Sequence, residues 1–337
     1  MPVRLSLLRL ERSIACHPVW WFLLLAVAPA AGIAYAPGLR NTVHFAPNFI
    51  VLPGTMLVAW AGDLRPKFAR CRGRRTLVFA CVLALCLTPF AFGALPNGLP
   101  DMILLTASWA LAAAALAYLL ACWFSPTAAL RELVRPLLPG KRSLLPCLFA
   151  VVWPLLSYGL AMAAGHIWPQ SYDAFGSPPP SYLTYLSMLW FELPYAFSGL
   201  MLGLPVVIVW YGFVARRLQG RLSPLLIALP LSLIASWGSI DGSVALGIAG
   251  SYAMVLVALA LFRRSHGNLL PLVLLFTIAP VANIAALWSV RLQAGLAYDI
   301  ALIGLQWLAA GVFVVTGGLW RRPARPSGEA VAVAALP

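Results

Sequence analysis

Clusters of charge and of turn residues divide this chain into apolar blocks of roughly 20 residues, about the length of helix that crosses the hydrocarbon core of a bilayer. Ten such blocks stand out, at 18–36, 47–62, 76–95, 102–124, 144–166, 195–215, 222–238, 244–262, 269–290 and 298–320. The second and seventh are near the lower length limit for a crossing. Only 9% of the 337 residues are charged and 62% are hydrophobic, whereas a soluble domain carries about 25% charge. A water-soluble globule of this size needs a polar shell that these residues cannot supply. A soluble enzyme, a nucleic-acid-binding protein and a disordered chain are therefore excluded. A β-barrel would show short alternating segments in place of unbroken apolar blocks. The expected fold is all-α: a polytopic helical membrane protein with about ten transmembrane helices.

The net charge of +14 suggests nucleic acid until the charges are placed along the chain. With the N-terminus in the cytoplasm, the basic clusters at 4–12, 65–75, 131–142, 216–221, 263–264 and 321–325 all fall on the inner side. Twenty-one of the 23 Lys and Arg residues are then inside, and only Arg40 and Arg291 are outside. This is the asymmetry that orients membrane helices, and it predicts that both termini are cytoplasmic. A basic inner face also suits anionic lipid headgroups. Ala34-Tyr35-Ala36 resembles a cleavage site after the first apolar block, but the block is expected to stay as a helix. The chain reads as an N-terminal four-helix region (1–129), a helical core (130–290), a last transmembrane helix (291–320) and a mobile cytoplasmic tail (321–337). Its Ala-, Leu- and Arg-rich composition points to a GC-rich bacterium and its inner membrane.

Familiar catalytic patterns are absent. His17, His44, His166 and His266 stand apart, with no His-Glu-x-x-His pair to place two metal ligands one turn apart. There is no phosphate-binding GxxxxGK[ST] loop. None of Cys16, Cys71, Cys81, Cys86, Cys122 and Cys147 belongs to a CxxC pair. Neither a metal nor a cofactor is expected. Asp241 and Asp299 flank spans on the outer side, where paired carboxylates could share a proton but where solvation is the simpler account. Glu192, in Leu-Trp-Phe-Glu-Leu-Pro, is an acid in apolar surroundings and a binding candidate. Gly247, Ala249, Gly250 and Ser251 are small enough to let two helices approach closely.

One run carries more specific information. Val206 to Arg221 reads Val-Val-Ile-Val-Trp-Tyr-Gly-Phe-Val-Ala-Arg-Arg-Leu-Gln-Gly-Arg. It resembles the CPBP family, the CAAX-protease and bacteriocin-processing membrane proteins, with Gly212, Arg217, Leu218, Gln219 and Arg221 at matching places. A basic inner helix from Leu130 to Arg142 and the stretches Gly247–Arg264 and Asn268–Phe276 extend the likeness over about 130–290. The resemblance implies an intramembrane protease fold, and every catalytic position departs from it. The family's glutamate pair falls on Val206 and Val207, and its arginine on Tyr211. One histidine falls on Ser239, or on Asp241 if Trp237 takes the aromatic place. The last His-x-x-x-Asn falls on Thr277 and Val281, with Asn283 nearby. Valine can neither take a proton nor hold a polarised water.

The expected function is therefore non-hydrolytic. A CPBP-like bundle would bind a hydrophobic peptide, a lipidated chain or a partner membrane protein, as in immunity or scaffolding. Trp210, Tyr211, Trp237, Asp241 and Asn283 are expected near the emptied cavity. Two alternatives use the same residues differently. A transport component would exploit helices interrupted at Pro194, Pro205, Pro230, Pro271 and Pro280, and an intramembrane hydrolase would act through Glu192 and Asp241.

Overall fold

The computed structural model describes residues 77–84, 128–167, 203–219, 222–235, 244–289 and 296–317, together with individual positions within 13–28, 52–58, 110–123 and 185–200. Among the described residues the protein is helical, without strands. In chain order the elements are α1 (Pro18–Phe22), a π-helical turn (Leu23–Val27), α2 (Ala128–Val134) and α3 (Leu144–Ile167). A second π-helix (Val207–Ala215) runs into α4 (Arg216–Leu218), followed by α5 (Pro224–Ala235). Last come α6 (Val244–Arg264), α7 (Leu270–Ser289) and α8 (Leu296–Gly317).

Three stretches, Leu144–Ala164, Leu246–Arg264 and Ala297–Gly317, are long and apolar enough to cross a membrane, and Pro224–Leu233 and Leu270–Ala286 are shorter apolar helices. They coincide with five of the apolar blocks read from the sequence. Leu144, Leu145, Leu148, Leu156 and Leu160 on α3, and Leu308, Val312 and Val315 on α8, are exposed. Outward-facing leucine and valine on long helices suit a lipid solvent.

Three loops close one end of the bundle. Leu269 N–H donates to the Pro136 carbonyl (2.8 Å), and Asn268 Nδ2 donates to the Leu138 carbonyl. Glu132 lies 3.5 Å from Arg135 and 3.9 Å from Arg216, whose guanidinium also donates to the Glu132 carbonyl. The basic segments 131–142, 216–217 and 263–264, assigned to one side by charge, thus meet at one end. The expected basic helix from Leu130 to Arg142 is not continuous. Helix α2 stops at Val134, and two single 3₁₀ turns, Arg135–Leu137 and Lys141–Ser143, replace the rest. Pro136, Pro139 and Gly140 account for the break: the prolines lack an N–H and restrict the residue before each, and glycine has no side chain to hold a helix.

Helix α6 ends at the same place in a left-handed turn. His266 (φ 56°) and Gly267 (φ 81°) both adopt positive φ, and Gly267 N–H returns to the Phe262 carbonyl at 2.8 Å. Asn268 then caps α7, its Oδ1 accepting from Leu270 N–H at 2.8 Å. Two side chains on α7 and α8 meet at the far end, where Tyr298 donates to Asn283.

Helix α3 packs on α7 and α8, and α6 packs on α5 and α8. The α6–α8 contact depends on the small-residue stripe. A Cβ built on Gly250 would lie 3.2 Å from Ile303 Cγ1 and 3.7 Å from Gln306 Oε1. Gly250→Val therefore forces the two helices apart, and the purified protein should lose about 1–3 kcal/mol of stability. Thermal unfolding in detergent reads this as a lower Tm; an unchanged Tm would show that α6 and α8 do not touch at this position.

Candidate functional site

The run singled out in the sequence forms the least ordinary backbone in the bundle. Val207–Ala215 is π-helical for nine residues, and Arg216 N–H reaches back to the Tyr211 carbonyl. Such turns are rare and frequently mark functional positions. Successive β-branched and aromatic residues, Val206 to Tyr211, crowd a regular α-turn and lower its preference. All of Val207 to Ala215 is buried except Val214. Gly212 lets the widened turn approach α7, where a Cβ would lie 3.0 Å from Leu269 Cδ1.

The candidate residues that the structure describes lie in different surroundings. They divide among three places. Val207 and Tyr211 face the core, and the Tyr211 ring lies 5.8 Å from Phe276 of α7. Thr277 and Val281, also buried, follow Phe276 on the same helix, while Val206 is only half-buried. Trp210 turns the other way, edge-on to Phe22 of α1 at 5.7 Å. Asn283 sits at the far end, its Oδ1 accepting from Tyr298 at 3.1 Å. Glu192, Trp237, Ser239 and Asp241 lie outside the described residues.

The Tyr211 ring is buried against Phe276, and α7 departs from regular helix bonding just beyond that contact. Thr277 Oγ1 is buried and has no hydrogen-bond partner among the described residues. Pro280, inside α7, has no N–H to offer the Phe276 carbonyl one turn earlier. A hydroxyl and a freed carbonyl therefore adjoin in sequence where the π-helix meets α7. Gly203 leaves room there, since a Cβ would come within 3.5 Å of the Phe276 backbone.

The place around Trp210 is an open groove of about 210 Å³. Phe22, Leu23, Trp210, Phe213 and Leu231 form its walls, and Arg217 stands at its mouth. Phe22 also packs on Phe213 at 5.6 Å. The Arg217 guanidinium lies over the Phe213 ring, 3.7 Å from its centre, so the cation is held at the end of an apolar channel. This arrangement can accept an apolar chain ending in a negative group. The sequence supplied Trp210 and Arg217, but it gave no sign that Phe22, nearly 190 positions earlier, would complete the wall.

The place around Asn283 is a tyrosine cluster. Tyr185 donates to the Leu155 carbonyl at 3.0 Å and lies against Gly159, while Tyr298 and the nearby Tyr158 pack with it. Asp299, beside Tyr298, is exposed in the first turn of α8, where a negative charge suits the helix N-terminus. Its placement agrees with the simple reading as a solvated span end. Among the described residues no group of three or more His, Cys, Asp or Glu could hold a metal ion.

Against protein-family models, curated proteins and solved structures, the chain matches none. The reading of these sites rests on their own geometry. The Tyr298–Asn283 pair is the clearest interhelical polar bond joining α7 to α8. Tyr298→Phe should cost about 1 kcal/mol, the scale of such bonds within membranes. A double-mutant cycle with Asn283→Ala, read by thermal unfolding, should show that coupling; strictly additive effects would mean that the two side chains do not interact.

Proposed function

We propose that the chain is an integral membrane protein that binds a hydrophobic or lipidated peptide in the groove beside Trp210, without cleaving it. The observation that carries this reading is the aromatic channel of Phe22, Trp210 and Phe213 closed by Arg217. The rings offer a large apolar contact area at low entropic cost, and the guanidinium offers paired donors to a terminal carboxylate. The resemblance to CPBP proteins supports the same reading. On that alignment Val206, Val207 and Tyr211 stand where acids and an arginine would be, which removes the groups that activate water. An immunity or scaffolding role in a bacterial inner membrane, with about ten spans and both termini cytoplasmic, follows from the charge distribution and the resemblance.

The test uses a fluorescent farnesylated peptide with a free C-terminal carboxylate and the full chain in detergent. Binding should saturate, and Phe22→Ala/Trp210→Ala should weaken it about tenfold or more, the scale for removing aromatic anchors. Arg217→Gln, at the exposed mouth, weakens it without touching the packed core. The peptide should be recovered intact. Equal binding by all variants overturns the groove assignment, and a cleaved peptide overturns the non-hydrolytic reading.

One observation favours transport as a second reading. The unpartnered Thr277 hydroxyl and the carbonyl freed by Pro280 form the kind of interrupted helix that binds solutes near a bilayer midplane. Uptake of labelled small solutes into proteoliposomes, abolished by Thr277→Val, would establish it; absence of uptake across amino acids, sugars and inorganic ions would remove it.

A further inference from the structure

A second groove is lined by none of the candidate site residues and by none of the residues of the Trp210 groove. It opens between α3, α6 and α8 at the basic end, with a volume of about 460 Å³. Its construction starts from helical spacing. Leu145, Phe149 and Trp153 stand at intervals of four on α3 and therefore share one face. Phe149 and Trp153 stack at 5.6 Å, nearly parallel, and Phe313 of α8 meets Phe149 edge-on at 5.1 Å. The floor, Leu261 and Phe313, is buried, while Leu145, Leu308 and Val312 on the rim are exposed. The groove therefore opens sideways, on the flank whose neighbouring leucines face outward.

Two arginines stand at one end of this apolar slot. Arg142 occupies the 3₁₀ turn just before α3, and Arg264 is the last residue of α6. Arg264 donates to Thr316 Oγ1 at 2.8 Å and lies over the Phe313 ring at 4.6 Å, which fixes its guanidinium. Arg142 Nη1 lies 3.4 Å from His266 Nε2. No acid lines the groove. The acids described elsewhere are occupied or remote, with Glu132 paired to Arg135 and Arg216 and Asp299 at the far end of α8. Guanidinium groups retain several donors after one bond is made, and their fork fits a phosphate.

We infer that this groove is a binding site for one anionic phospholipid of the leaflet at the basic end. The acyl chain lies along Phe149, Trp153 and Phe313, and the headgroup phosphate meets Arg142 and Arg264. Charge decides the occupant. A partner helix would fill the apolar slot but leave two guanidinium groups without a counter-charge, and a zwitterionic lipid brings a phosphate already offset by its own ammonium, so an anionic lipid alone adds net negative charge opposite the pair. The position along the bundle agrees, because the residues that begin one span and end another lie at headgroup depth. Basic pockets between transmembrane helices select anionic headgroups for this reason.

Native mass spectrometry of the full chain, released from mild detergent with added phosphatidylglycerol or phosphatidylcholine, tests the inference. The wild-type protein should retain one phosphatidylglycerol and bind phosphatidylcholine at least tenfold more weakly. Arg142→Gln/Arg264→Gln should lower phosphatidylglycerol affinity by about 30-fold, roughly fivefold for each charge removed. Arg142→Lys/Arg264→Lys keeps the charge and should stay within a few-fold of wild type. Three results would overturn the site: equal retention of both lipids, full affinity in the glutamine pair, or a lysine pair as weak as the glutamine pair. The last would mean that positive charge is not what holds the lipid. Phe22→Ala/Trp210→Ala should leave this lipid bound, so the groove stands or falls independently of the peptide site.

Discussion

Hydrocarbon offers a peptide group nothing to bond to, so each N–H and C=O in a span must find its partner within the helix. That requirement explains why the described chain is helical throughout, and it makes departures from regular helix informative. They concentrate in few places: the π-helical turn at Leu23–Val27, the π-helix at Val207–Ala215 and the prolines within α3, α5 and α7. The π-helix keeps its hydrogen bonds but widens the turn, so it can bury nearly every side chain without exposing backbone. Pro280 acts in the opposite sense, since it withholds the usual N–H donor from the Phe276 carbonyl, and the next residue, Thr277, has a buried hydroxyl without a partner among the described residues. One device preserves packing and the other creates polarity, and Tyr211 and Phe276 join them.

The basic end is organised by a different economy of charge. Glu132 is the only acid described there, and it ties α2 to the start of α4 through Arg135 and Arg216. Two other arginines there are accommodated by aromatic faces. Arg217 lies over Phe213 and Arg264 over Phe313. A guanidinium is weakly hydrated and planar, so a ring can hold it at the membrane boundary without a carboxylate. Both grooves consequently share one plan, with apolar walls leading to an arginine stacked on a ring that itself belongs to the wall. The aromatic residue forms the groove wall on one side and fixes the cation on the other.

Much of this frame is legible in the sequence, because its determinants are local. Runs without charge gave the limits of α3, α6, α7 and α8 to within a few residues, and arginine spacing grouped the loops that hydrogen bonds join. Gly250 is read correctly as a close-packing position, since small size alone permits the contact with Ile303. What escaped depends on distant partners. Hydropathy averages over turns, so it cannot separate a π-helix from an α-helix in Val206–Ala215. A helix written across Pro136, Pro139 and Gly140 ignored residues that break helices locally. Trp210 and Tyr211, adjacent in sequence, face Phe22 and Phe276 respectively, a divergence set by the angle between successive side chains that apolar runs do not show. Phe149, Trp153 and Phe313 look like ordinary apolar residues until α3 and α8 lie side by side.

The valines at 206 and 207 make physical sense in the environment that surrounds them. Val207 is fully buried, and its neighbours Ile208, Trp210 and Tyr211 are buried as well. A carboxylate at this position would lose its hydration at a cost of several kcal/mol, and no described cation adjoins it to compensate. The nearby polar atoms make poor partners for an acid pair. The freed Phe276 carbonyl would repel a carboxylate, and the single Thr277 hydroxyl can donate to only one oxygen. Apolar side chains at 206 and 207 instead let the widened turn pack against α7 through Gly203 and Gly212. The interior of the bundle then serves as a rigid support. The proposed binding sites lie on its flanks, where rings stand beside guanidinium groups.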